Sequence, residues 1–176
     1  MILGIIVLVL LLALAAFLFM RHPMFGKLPE GERLERIRQS PNYRDGVFNN
    51  QSPTEMLSNN KSRPRLFWEF LFTKVKDLRP VKKFPVIKTD LKKLAPDEDI
   101  LVWMGHSSLY LQINGKRILI DPTLVSASPL PFVNGAFNGT SVYHPEDMPD
   151  IDYLIITHDH WDHLDYKTML KLKNRT

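Results

Sequence analysis

Met1 to Met20 carries no charged residue and is built almost wholly from Ile, Leu, Val, Ala and Phe. A helix rises 1.5 Å per residue, so a run of this length spans roughly 30 Å, about the hydrocarbon thickness of a bilayer. The run offers no polar face, which argues against a buried core helix of a soluble domain. It reads as a single-pass transmembrane anchor. A cleavable signal peptide is the competing reading, because Ala13-Leu14-Ala15 offers a weak cleavage site. Against it, no basic residue precedes the apolar run, and Phe17-Leu18-Phe19 would follow the cut. The flanking cations Arg21, Lys27, Arg33, Arg36 and Arg38 all lie after the run. The positive-inside rule therefore expects the body of the protein in the cytoplasm.

The rest of the 176 residues suffices for one domain of ordinary size. The chain has no cysteine, which removes disulfides, thiolate catalysis and cysteine-rich zinc sites together. Its net charge of +4 is unevenly spread: residues 61–93 hold eleven Lys and Arg against three Asp and Glu, and residues 94–176 hold six against eleven. The basic block suits either anionic lipid headgroups or a solvated surface near a membrane. A nucleic-acid partner is not expected, since the apolar run already points to the membrane.

Residues 21–98 form a leader. Its first part, to residue 60, is rich in Gly, Pro, Asn and Ser and reads as irregular, with one short helix at Glu30 to Gln39. Ser62 to Leu78 reads as a second helix: Pro64 suits its first turn, Leu66, Phe67, Phe70, Leu71 and Val75 follow helical spacing, and Pro80 stops it. That stripe is expected to serve packing, in a core or at a membrane interface. From residue 99 the pattern turns to strands. Ile100 to Met104 is a short apolar run, Ser108 to Ile113 alternates, and Asn114-Gly115 is a two-residue hairpin signal leading into Lys116 to Ile120. After a loop rich in Pro and Gly, Ile151 to Ile156 reads as a buried strand, and a helix is expected over Lys167 to Lys173.

The strand at Ile151 to Ile156 runs directly into His158-Asp159-His160-Trp161-Asp162-His163, which holds three of the chain's six histidines. Side chains after a strand end sit at a sheet edge, where a site can open to solvent. Imidazole and carboxylate suit Zn, and also Fe or Mn. His158 and His160 lie two apart, so extended backbone points both to one side. Asp162 and His163 fall about one short turn away, a spacing that can serve two neighbouring metals.

His158-x-His160-x-Asp162-His163 after an apolar strand resembles the signature of the metallo-β-lactamase superfamily. Trp103-Met104-Gly105-His106-Ser107-Ser108, Ile118-Leu119-Ile120-Asp121-Pro122 and Met148-Pro149-Asp150-Ile151-Asp152 narrow the resemblance to the branch of N-acyl-phosphatidylethanolamine phospholipase D and its bacterial relatives. So does the upstream stretch from Ser40 to Asn50, and the likeness covers roughly residues 23 to 170. The resemblance implies an α/β fold, the αββα sandwich, of which this sequence supplies the first half. It implies that His158 and His160 hold one zinc and Asp162 and His163 a second, Fe or Mn being alternatives. Asp162 is then placed to orient or deprotonate the attacking water. Asp121 is expected to aim a ligand from behind the metals, or else simply to start a turn. His106 is expected at the mouth of the site, as a substrate contact, a proton donor or a loop hydrogen-bonder. His144 reads as a surface loop residue and His22 as interfacial.

The family's remaining ligands, two His and a bridging Asp, have no counterpart after His163, where Asp165 is the sole acid and follows the motif too closely to bridge. The first sheet would then present an apolar face that a second sheet normally covers. Two hypotheses follow. One is a membrane-anchored dizinc phosphodiesterase of the phospholipase D-like branch, using hydroxide held at the metals on a membrane lipid, with a lactone or other ester as runner-up substrate. The other is a catalytically inactive fragment or split-protein half that binds metal weakly. Oligomeric state is left open.

Overall fold

The computed structural model describes residues 2–53, 61–130 and 134–174. The chain divides into two compact units, Met1–Val75 and Lys76–Thr176.

The first unit holds three helices and a small ribbon. Helix α1, Ile2–Met20, is long and apolar enough to cross a membrane, and none of its residues is buried. Helix α2, Gly31–Arg38, lies within the stretch where the periodicity expects it. The sequence around it does not read as β-structure, yet β1 (Tyr43–Arg44) and β2 (Val47–Phe48) pair antiparallel across Asp45-Gly46. Both turn residues have positive φ, 55° and 79°, the geometry of a tight two-residue hairpin. Helix α3, Arg63–Phe72, is shorter than the expected 62–78. Thr73 leaves helical geometry at φ −79°, ψ 117°, and residues 73–78 add no further helix. Lys74, Val75 and Lys76 there are all exposed, so burial does not stabilise a further turn of helix.

The second unit is built on a mixed four-stranded sheet in the order β3-β4-β5-β6. Its strands are β3 (Ile100–Gly105), β4 (Ser108–Ile113), β5 (Lys116–Ile120) and β6 (Tyr153–Ile155). The first three are antiparallel neighbours, and β6 joins β5 in parallel. Asn114 and Gly115 turn β4 into β5 with φ of 49° and 73°, so Ile113 faces Lys116. The β3–β4 turn is equally tight and carries a register shift between Trp103 and Gly105. There Gly105 and His106 both have positive φ, 106° and 46°. Strand β6 is shorter than the expected run from Ile151 to Ile156. Asp152, just before it, accepts the Arg117 amide at 2.9 Å and the Lys116 ammonium at 3.0 Å, which pins its start to β5. Helix α4, Tyr166–Leu172, closes the described fold.

One sheet face is covered. Met104, Tyr110 and Leu119 from the strands pack with Leu91, Leu124, Tyr143, Met148, Ile151 and Leu172 into a single apolar cluster. Gln112 is fully buried on the same face. Its amide donates to the Ala95 and Glu98 carbonyls, and its oxygen accepts from Tyr110 and Arg117. A buried amide with every partner in place costs little and holds the 95–98 loop against the strand.

The other face is apolar and open. By strand register it carries Leu101 and Trp103 opposite Leu111 and Leu109, then Ile118 and Ile120, then Tyr153 and Ile155. Trp103 is 70% exposed and Leu101 61%. Among the described residues of this unit no element covers this face, although it is made of the residues a sheet normally buries.

Candidate metal centre

Three chain segments meet at one end of the sheet. They are the β3–β4 turn with His106, the end of β5 with Asp121, and the loop after β6 with residues 157–163. Parallel pairing of β5 and β6 brings the last two together, since the Asp121 amide donates to the Ile155 carbonyl at 3.0 Å.

Asp121 is the organising group. Its backbone has φ 43°, an uncommon conformation for a residue with a side chain, and its side chain is 3% exposed. One carboxylate oxygen accepts the Thr157 amide at 2.7 Å. The other accepts the Thr157 hydroxyl at 2.6 Å and faces His163 Nδ1 at 2.8 Å. Burial pushes the Asp121 carboxyl up. The hydrogen bonds from His163 and Thr157 and the charge of His163 outweigh that, so it lies below the ordinary carboxylate value. As a carboxylate it fixes the proton of His163 on Nδ1, which leaves Nε2 as the ring's lone-pair donor.

Asp162 is held by its backbone. The hydroxyls of Ser107 and Thr123 both donate to its carbonyl, each at 2.8 Å. Its carboxylate meets His106 Nε2 at 2.8 Å. Burial again raises its carboxyl, but the bond from its own amide, the bond with His106 and the charges of His106 and His163 bring it below the usual range. It is therefore an acceptor at neutral pH.

The motif bends into a turn at its second half, where the amides of His163 and Leu164 both donate to the His160 carbonyl, at 3.0 and 2.8 Å. Asp165 stabilises that turn from behind. It is 2% exposed and accepts the amides of Val125 and Ser126 at 2.9 Å each, with further bonds from Lys167 and the Thr168 hydroxyl. Its role is to cap α4 and tie the loop after β5 to the site.

This arrangement brings His106, Asp162 and His163 together, with one ligand-type atom of each lying within 4.8 Å of the others. His158, His160 and His163 also crowd one another: the ring centroids of His158 and His163 lie 3.9 Å apart, and those of His158 and His160 lie 4.6 Å apart. His158 and His160 are exposed, with the Thr157 hydroxyl 3.1 Å from His158 Nδ1. They are not part of the convergent trio. His144 and His22 each sit at the start of a short 3-10 turn. Spacing alone does not bring His106 to Asp162, since the two are 56 positions apart in the chain. The tethers Ser107, Thr123 and Thr157 were equally hidden. The positive-φ turn at Gly105-His106 is the one local signal, because a strained turn beside a sheet end is a common place for a functional side chain. Two imidazoles and a carboxylate suit a borderline divalent ion, so the residues present fit a metal.

Residues 100–173 match the family described as the beta-lactamase superfamily domain. This stretch is similar to the beta-lactamase superfamily domain. The matched segment holds β3 through α4 and every residue of the centre described above. An uncharacterized protein of Mycobacterium tuberculosis is 35% identical over 141 residues, covering 76% of this chain and 36% of that protein. The N-acyl-phosphatidylethanolamine-hydrolyzing phospholipase D 1 of Caenorhabditis elegans is 34% identical over 77 residues, 41% of this chain and 20% of that protein. A UPF0173 metal-dependent hydrolase of Sulfolobus acidocaldarius is 39% identical over 74 residues, 41% of this chain and 28% of that protein. The chain thus spans about a third or less of the length of the curated relatives it matches. No solved structure matches. The fold is α/β with a mixed sheet, and the relatives that this stretch resembles include one named as a metal-dependent hydrolase.

Proposed function

We propose that this chain carries the metal-binding part of a membrane-anchored hydrolase acting on a phosphodiester of a membrane lipid, with a phospholipase D type of cut. The observation that carries the reading is the convergence of His106, Asp162 and His163, with the ring of His158 against His163 and that of His160 against His158. The substrate class follows from α1, from the basic stretch 61–93 and from the likeness to the nematode phospholipase. The anchor is a single span with the body on the cytoplasmic side. The open sheet face supports an αββα sandwich, in which a second sheet packs on Leu101, Trp103, Leu109 and Leu111.

His163 and Asp162 hold one metal, and His158 and His160 the other. Zinc suits this donor set, and Fe or Mn remain compatible with it. A bound metal supplies Lewis-acid polarisation of the phosphoryl oxygens and acidifies a water toward neutral pH. The chain's own residues do the remaining work. Asp121 keeps His163 in the required tautomer. Asp162, ionised at neutral pH, orients the attacking water and accepts its proton as the new P–O bond forms. His106, at 60% exposure the outermost of the trio, gives a proton to the alkoxide that leaves as the old P–O bond breaks. An alternative role for His106 is favoured by the same convergence: it is a third donor beside Asp162 and His163. Replacing His106 with Gln separates the two, since loss of one bound metal marks a ligand and retained metal with slowed turnover marks a proton donor.

The test of the whole reading is turnover of a phospholipid phosphodiester by zinc-loaded protein in mixed micelles, with Asp162→Asn beside it. The reading expects at least a hundredfold loss in the variant, typical of a removed acid–base group. Equal turnover would refute the role of Asp162. The open sheet face favours a second reading, in which the chain by itself binds metal weakly and does not turn over. Uptake of about two zinc ions per chain with high affinity would contradict that one.

A further inference from the structure

We propose that α3 is a second membrane contact, a helix lying flat in the headgroup region of a bilayer that contains anionic lipid. Six of its ten residues are apolar, and four of those are aromatic. No residue of it is buried, and Phe67, Trp68, Phe70, Leu71 and Phe72 are exposed by 53–83%. At 100° per residue, Arg65 and Glu69 share one narrow side, with Phe72 next to Arg65. Leu66, Phe70, Phe67 and Leu71 occupy the opposite one, interrupted in the first turn by Arg63. Trp68 lies between the two sides, its ring centroid 4.3 Å from that of Phe72.

Charge decides what covers this surface. Between residues 61 and 76 stand Lys61, Arg63, Arg65, Lys74 and Lys76 against the single acid Glu69. Glu69 is already paired with Lys61 at 2.7 Å and Arg65 at 3.1 Å. The segment therefore offers a broad aromatic face ringed by a cationic excess, which matches an anionic lipid interface: Trp and Phe sit among the headgroups while Lys and Arg reach phosphates. At about 15 Å the helix is half the length needed to cross, so it lies along the surface. A protein groove would read a narrow stripe of anchors on a helix, whereas here the apolar arc covers most of the circumference. A ten-residue helix is also marginal alone in water, and an interface supplies what it lacks. The inference needs neither metal nor turnover and stands apart from the hydrolytic reading.

Because α1 would hold every copy on a vesicle, sedimentation reads nothing about α3, and a local depth probe is required. The absence of cysteine makes single-site labelling clean. The full chain is reconstituted into phosphatidylcholine vesicles with or without about 30% phosphatidylglycerol, an anionic fraction that sets up a surface potential. An environment-sensitive NBD label is placed by Phe70→Cys, with Gln51→Cys as an aqueous control. Trp68, read as the difference between wild type and Trp68→Phe, is a label-free second probe. The proposal expects the position-70 label to shift blue and to be quenched several-fold more than position 51 by lipids brominated near the headgroup. It expects that quenching to rise with phosphatidylglycerol. Lys61→Gln, Arg63→Gln and Arg65→Gln together should abolish most of the rise, since each cation near such a surface is worth roughly fivefold in partition. Equal quenching with and without anionic lipid overturns the proposal. So does a label at 70 as open to acrylamide as the one at 51. A label shielded from both acrylamide and brominated lipid also overturns it, and assigns the face to a protein.

Discussion

Asp121→Asn changes one oxygen into an amide nitrogen at a position with no room for compromise. The carboxylate accepts three bonds, from the Thr157 amide, the Thr157 hydroxyl and His163 Nδ1, at 2.6–2.8 Å. Asparagine has one acceptor oxygen. If that oxygen keeps the Thr157 amide, the NH2 group faces His163 Nδ1. The imidazole must then present a lone pair there and carry its proton on Nε2, where a metal needs a lone pair. If the amide flips, two N–H groups collide at the Thr157 backbone. Either way His163 or the loop that carries it is mispositioned. Loss of such a supporting carboxylate lowers metal affinity about 10–100-fold, or roughly 1.4–2.7 kcal/mol. Metal-free stability should fall by about 1.5–3 kcal/mol, the value of a hydrogen bond to a charged group. The assay is zinc titration of the full chain in detergent against a chromophoric chelator. Nitrogen NMR of the histidine rings reports the tautomer of His163. A variant that stays folded, binds zinc within twofold of wild type and keeps its Nδ1 proton would refute the argument.

Three other outcomes follow from the same geometry. Asp165→Ala leaves the part-buried amides of Val125 and Ser126 without their acceptor and uncaps α4, which should cost about 2–4 kcal/mol in urea unfolding of the metal-free protein; a loss under 1 kcal/mol would mean that the loop after β5 is held by something else. Gly115→Val should destabilise the β4–β5 hairpin by about 1–2 kcal/mol through backbone strain. Space is not the obstacle there, because φ is +73° and an added Cβ would sit 3.7 Å from the nearest atom, the Pro96 carbonyl oxygen. The pH dependence has a definite sign. The folded carboxyl of Asp121 lies below its unfolded value of about 3.9, so its stabilisation is complete above that value and is lost as pH falls through the lower folded one. Acid unfolding of the metal-free chain should therefore be shallower in Asp121→Asn, and an unchanged profile would count against the pairing with His163.

Much was legible in the residues alone. The apolar length of Ile2–Met20, the hairpin at Asn114-Gly115, and the strands on either side of it depend on local chemistry: side-chain periodicity and the φ that glycine and asparagine tolerate. The histidine-rich run after an apolar strand likewise marked the place of the candidate site by residue type and spacing, although of that run only Asp162 and His163 join the cluster with His106. What the sequence left open were contacts between distant positions. Helix α3 stops at Phe72, although helical spacing of apolar residues continues to Val75. The buried face of β4 is the one with Ser108, Tyr110 and Gln112, while Leu109, Leu111 and Ile113 lie on the open face. Alternation shows two faces but not which one meets α4. Only parallel pairing of β5 with β6 puts Asp121 beneath His163, and only the left-handed turn at Gly105-His106 swings an imidazole across 56 positions of chain to Asp162. Composition and period are local properties of the chain. The centre's geometry is set by strand register and turn conformation, which take shape when the sheet forms.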